Sequence, residues 1–216
     1  TSSSRWFQKK FLLLAFGLGD MYPWVQTAFA KGAPGKNFGE LSAVEIESIL
    51  YMREEEKLAR DVYIVLYEAT GAQVFLNISA SEQTHFDQMG VLVERYALED
   101  PALEPGVFAN HHLQELYDYL IALGLGSLED AYTVGAIIEE VDILDFLHYL
   151  GDEQVDNSDI RQVYTNLMEA SGNHLRAFVS NLLSVGVIYE PGYLSQELYD
   201  AIIAGETGGA GNRNGH

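Results

Sequence analysis

Apolar residues recur at three- and four-residue intervals over most of the chain, the spacing of one face of an α-helix. Ile49, Met52, Ala59, Tyr63 and Leu66 form one such stripe and predict a helix from about Ala43 to Thr70. Ser42 and Glu45 form a capping-box pattern at its start, with Glu45 at the third helical position, and Gly71 ends it. A second stripe, Ile78, Met89, Leu92 and Tyr96, predicts a helix capped by Asn77 or Ser79 and running to about Tyr96. Asp100-Pro101 and Glu104-Pro105-Gly106 then break the chain. A shorter helix follows from His111 to Leu123, stopped by Gly124 and Gly126. Ser127 with Asp130 starts a third long helix that runs to about Leu150 and ends at Gly151-Asp152. Ser158 caps a fourth, which continues to about Val185, ahead of Gly186. After a turn at Pro191-Gly192, Ser195 to Ala204 reads as a small closing helix. No run alternates apolar and polar residues convincingly, so the expected fold class is all-α.

The connections set the topology. The first and second long helices are joined by a short turn, as are the third and fourth, so each pair is an antiparallel hairpin. The stretch between the hairpins is about 30 residues long and carries its own helix, which is the ferritin-like four-helix arrangement with one long crossover. The expected layout is a bundle over 41–186, a C-terminal extension over 187–205 and a flexible Gly/Asn-rich tail over 206–216. Residues 31–40 read as a linker. Ahead of them, Arg5, Lys9 and Lys10 precede the short apolar run Phe11 to Gly19, and Ala28-Phe29-Ala30 offers a cleavage pattern. That reads as an export signal over 1–30, with a secreted or periplasmic protein as the consequence, or else as an N-terminal arm. The apolar run is too short to span a bilayer.

Polar residues inside an apolar stripe are costly unless paired or metal-bound. Glu82 and His85 interrupt the second helix three residues apart, on one face and one turn apart. Such a Glu-x-x-His pair delivers a carboxylate and an imidazole to a metal in di-iron bundles. His174 interrupts the fourth helix, and Glu139 and Asp142 the third. Glu56 interrupts the first, although Glu55 also faces apolar neighbours, and Glu140 competes with Glu139 in the same way. Singly, each is as readily a surface charge or a hydrogen-bonded core group. Four helices each placing an acid or a histidine near mid-length point to a metal site. Asp145 and His148 are also three apart, but His148 stands at a helix end, where a capping role fits better. His111 and His112 fall at a helix start in the crossover and read as exposed.

Charge and composition narrow the partners. The 216 residues carry 12 Lys+Arg against 32 Asp+Glu, a formal net charge of -20. That argues against nucleic acid and against an anionic membrane surface, and it suits attraction of cations. There is no cysteine, which excludes disulfides, zinc–thiolate sites, iron–sulfur clusters, thiol catalysis and a rubredoxin-type centre.

The blocks Met52 to Tyr63, Asn77 to His85, Val134 to Ile143 and Asn173 to Phe178, in that order, resemble the DUF2202 family, a domain of unknown function placed among ferritin-like proteins. The resemblance covers roughly 40–185. The wider similarity is to rubrerythrin-type bundles. It implies Glu56, followed by Ala59-Arg60 and Tyr63, as the first-helix ligand; Glu82 and His85 from the second helix; Glu139 from the third; and His174 from the fourth. Ser171 stands where that pattern has a further glutamate, and Asp142, one turn from Glu139, is the candidate to compensate.

The implied chemistry is a site for two iron ions, or one, with manganese or zinc as alternatives. Iron oxidation or the reduction of O₂ or peroxide follows, with Tyr63 steadying the reacting group and an external electron donor. A homodimer is a candidate assembly. The competing reading is a non-catalytic module, for sequestration or structure, whose buried acids pair with Arg53, Arg60 or Arg176.

Overall fold

A computed structural model describes residues 39–205. The expected export signal or arm, most of the 31–40 linker, and the 206–216 tail with His216 lie outside the described residues. Six helices and no strand make up the rest: α1 (Ala43–Thr70), α2 (Gln73–Arg95), α3 (His111–Gly124), α4 (Leu128–Gly151), α5 (Ser158–Ser184) and α6 (Gln196–Ile203). None of them is long and apolar enough to cross a membrane.

α1 packs along α2 and α4 along α5, so the bundle is made of two hairpins. α1 also lies against α4, α2 against α5, and α3 against both α1 and α4. The end of α4 sits beside the start of α1, where Ser42 Oγ donates to Gln154 O and Asn157 N donates to Glu45. Arg95 and Tyr96 at the end of α2 reach Asp159 at the start of α5. Both cross-hairpin contacts are therefore antiparallel, and α2 and α4 run the same way. Helices that run the same way across the bundle cannot be joined by a tight turn, which is why the chain between them is long and carries α3.

The capping box at Ser42 and Glu45 forms as expected, and Gly71 closes α1 at φ 68°, the left-handed conformation that favours glycine. Two helix starts differ from expectation. α2 begins at Gln73, so Asn77 and Ser79 are interior; Asn77 accepts from Gln73 Nε2 and Ser79 Oγ donates to Leu76 O. Gly71 turns the chain tightly enough for helix to resume after a single residue, Ala72, without a side-chain cap. Ser158 is the first helical residue of α5 rather than its cap. The cap position belongs to Asn157, whose side chain is drawn away to Glu45 on α1.

The run Arg53-Glu54-Glu55-Glu56-Lys57 is buried along its whole length. Each member faces a different neighbour. Arg53 pairs with Asp100 at 2.8 Å, and Glu54 accepts from the backbone N–H of Ala109 and Asn110. Lys57 pairs with Asp61 at 2.8 Å and donates to Val107 O. Asp61 also accepts from Arg60 and from Gly106 N–H. The start of the crossover is thus held on α1 by charged side chains. Glu140 does the same for the C-terminal extension, accepting from the N–H of Gly192, Tyr193 and Leu194 and from the Tyr189 hydroxyl.

At one end of the core, Tyr63, Phe178, Phe75 and Tyr132 pack ring against ring, with centroids 5.2 to 5.7 Å apart along the series. Gly135 lets the Phe178 ring approach α4: a Cβ there would stand 2.4 Å from the nearest ring carbon. Gly135→Ala is therefore expected to destabilise the bundle by about 1–3 kcal/mol in denaturant unfolding. Adding Phe178→Leu to it should recover part of the loss, and full stability of the single variant would show that the helices part easily here.

Candidate metal centre

Midway along the bundle, α1, α2, α4 and α5 each turn a polar side chain inward. Glu56, Glu82 and His85 form one group whose ligand atoms lie within 4.8 Å of one another, and Glu82, Glu139 and His174 form a second. Glu82 belongs to both. Its Oε2 is 2.8 Å from His85 Nδ1 and its Oε1 is 2.8 Å from His174 Nδ1. Glu56 Oε2 approaches His85 Nδ1 at 3.2 Å, and Glu139 Oε2 approaches His174 Nδ1 at 3.4 Å. The imidazoles stack with centroids 5.4 Å apart. All five residues are buried.

The local reason is helical register. The three-residue step from Glu82 to His85 brings their side chains onto one face of α2. Glu56 and Glu139 lie opposite, each flanked by a glutamate committed elsewhere. Glu140 holds the C-terminal extension, and Glu55 packs beside Asp145. Periodicity alone left both choices open; the tertiary partners close them.

His174 Nε2 and His85 Nε2 both face Ser81 Oγ, at 3.0 and 3.5 Å. A hydroxyl shared by two imidazoles fixes ring orientation and leaves Nδ1 of each toward the carboxylates. Ser81 was missed in the sequence, although its position one turn before His85 on the same helix face was available as a signal. Tyr63 is fully buried and its hydroxyl donates to Glu139 Oε1 at 2.5 Å. Asp142 lies outside both groups. It accepts from Ser171 Oγ and faces Glu56 and Glu139, so the serine in the position of a further glutamate is occupied in holding the acid.

The three arginines considered as partners for these acids are engaged elsewhere. Arg53 bonds Asp100 and Phe86 O, Arg60 bonds Asp61 and Gln83, and Arg176 bonds Ile202 O and Asn173. His111 is exposed and pairs with Glu115, whereas His112 is only half-buried.

Histidine protons supply the positive charge. Burial disfavours charge on His85, but Glu56 and Glu82 outweigh it and raise its pKa to about 11. His174 rises to about 10, burial again being overcome, here by Glu139 and Glu82. Burial would raise Glu82, yet the two imidazoles hold it down at about 2. Glu56, dominated by burial, is pushed up to about 8, and Glu139 is raised for the same reason. Glu82 Oε1 and His174 Nδ1 come within 2.8 Å without the alignment of a hydrogen bond, and Glu56 Oε1 has no partner. Atoms that converge without bonding one another suit a donor set aimed at a shared cation.

The family described as "Uncharacterized protein domain (DUF2202)" matches residues 45–206. Uncharacterized protein MJ0754 of Methanocaldococcus jannaschii is 46% identical over 175 residues, spanning 80% of this chain and 94% of that protein. The crystal structure of hypothetical protein MJ0754 from Methanococcus jannaschii superposes with a TM-score of 0.73 at 45% identity, covering 81% of this chain and 98% of that one.

The protonation pattern has a pH consequence. His85, His174, Glu56 and Asp145 keep protons when folded at pH values where the unfolded chain has lost them. Their contribution is fully present below the unfolded pKa values and is lost as pH rises toward the folded ones. Glu82 acts oppositely, but only below its ordinary 4.5. Metal-free protein should therefore melt at a higher temperature at pH 5 than at pH 8, measured calorimetrically at constant ionic strength.

Proposed function

Since the chain belongs to the DUF2202 family, whose description carries no activity, we propose a function from its own residues: a ferritin-like protein with a two-metal carboxylate/histidine centre that oxidises iron or reduces O₂ or peroxide. The observation that carries it is Glu82, one oxygen turned to each of two imidazoles, in the middle of two three-residue ligand groups. Two antiparallel hairpins joined by a helix-containing crossover support the ferritin-like reading.

Glu56, Glu82 and His85 would hold one ion and Glu82, Glu139 and His174 the other. Oxygen and imidazole donors without thiolate suit iron or manganese, with zinc as a redox-silent substitute. Bound iron or manganese would supply electron exchange with O₂ or peroxide, refilled by a donor outside this cysteine-free chain.

The chain's own residues do the rest. The two histidine Nδ1 protons must leave when the ions enter, because only the neutral ring binds metal. Ser81 keeps each ring oriented through its Nε2. Tyr63 fixes Glu139 and holds a proton at its hydroxyl, which burial keeps on the oxygen. Aromatic and aliphatic packing around Tyr63 and Phe178 keeps bulk water from this end.

Protein purified without a histidine tag and exposed to Fe(II) or Mn(II) should retain two ions per chain by elemental analysis. Binding should release protons, detectable in weakly buffered solution. The double variant Glu82→Gln/His85→Ala, if folded by circular dichroism, should lose both ions; retained metal would refute the centre. Oxygen consumption with ferrous iron then separates turnover from sequestration. Tyr63→Phe should keep the metal and lower the oxidation rate about tenfold, the scale of one lost hydrogen bond to a charged group.

A further inference from the structure

The centre does not use every buried acid at the α1–α4 seam. Glu55, Asp142 and Asp145 are 3%, 6% and 5% exposed, and the groups that act most strongly on Glu55 and Asp142 include other buried acids. Glu55 and Asp145 lie against each other, with Tyr51 bonding Asp145. Asp142 lies near Glu55, Glu56 and Glu139. Glu55 Oε2, Asp142 Oδ1 and Asp145 Oδ2 each lack a hydrogen-bond partner although buried. Buried carboxyl oxygens without donors are expensive unless a proton or a cation occupies the site.

Their order along the helices is regular. On α4, Glu139, Asp142, Asp145 and His148 follow at three-residue steps from the centre to the helix end. Antiparallel to them on α1, Glu56, Glu55, Tyr51 and Glu47 descend to the same end of the bundle. Glu47 and His148 are only half-buried and lie near each other. Tyr149 stands close to Asp145, Glu47 and Glu55 and so marks where the outer and inner groups meet. At 1.5 Å per residue, the steps from Glu139 to His148 cover about 14 Å along the helix axis.

We infer that Glu55, Asp142 and Asp145 form a transit path by which a divalent first-row cation passes from the surface at Glu47 and His148 to the two-metal centre. The inference rests on the reading of that centre given above. Carboxylates that bind a cation singly or in pairs hold it weakly enough to hand it on, whereas the triads with imidazole retain it. The strongly negative chain draws cations to the mouth.

The test is the uptake of Co(II), followed by its visible absorption after rapid mixing with metal-free full-length protein, alongside the final ion count by elemental analysis. Glu55→Gln/Asp145→Asn should bind the same final number of ions but load them at least tenfold more slowly. Glu47→Lys, at the half-buried mouth, should slow loading about two- to threefold, and serves should the buried double variant fail to fold. Equal loading rates in wild type and both variants would overturn the path while leaving the centre intact. Fewer ions bound at equilibrium in the double variant would also overturn it, making these acids ligands instead. No Co(II) bound by wild type would remove the centre and the path together.

Discussion

The fold is organised around the cost of burying carboxylates. A carboxylate removed from water needs donors, a cation or a proton, and the described helices bury acids on α1, α2 and α4. They are satisfied in different ways. Glu45, Glu54 and Glu140 collect backbone N–H groups from turns and loops. Asp61 takes Lys57 and Arg60. Glu56, Glu82 and Glu139 have two histidines, and Glu55, Asp142 and Asp145 have largely one another. The first two kinds build the scaffold, and the remainder is where the proposed metal centre and its path would lie.

Scaffold and centre share a short stretch of chain. Glu54 and Lys57 fasten the crossover, and between them Glu56 meets His85. On α4, Glu140 fastens the C-terminal extension and Glu139 meets His174. Adjacent residues on a helix point about 100° apart, so one segment serves a loop and the centre without competition. The loops thereby fix the rotation of α1 and α4, and with it the direction of Glu56 and Glu139.

Much of this was legible in the sequence, for identifiable reasons. Glu82 and His85 stood out because a three-residue step inside an apolar stripe is a local signal. The capping box at Ser42 and Glu45 was legible for the same reason, and so was the break at Gly71. Features decided by distant partners were not. Ser158 looked like a cap because nothing local shows that Glu45, far away in the chain, engages Asn157. Glu55 and Glu56 could not be separated by period, since both are buried and only Asp145 and His85 tell them apart. Asp145 stands out in the sequence only as the neighbour of a helix-end histidine, because its partners Glu55 and Tyr51 lie across the seam.

The five buried charges from Arg53 to Lys57 also constrain how this chain can change by descent. A point substitution there disturbs one partner. Deleting or inserting a single residue in the run rotates the following part of α1 by about 100° against its neighbours, and charges that faced Asp100, the crossover, Asp145 and His85 would turn together to the wrong surfaces. A change of length should therefore cost least in stretches of the connections that hold no partner of a buried charge, measurable as the stability of single-residue insertions in denaturant.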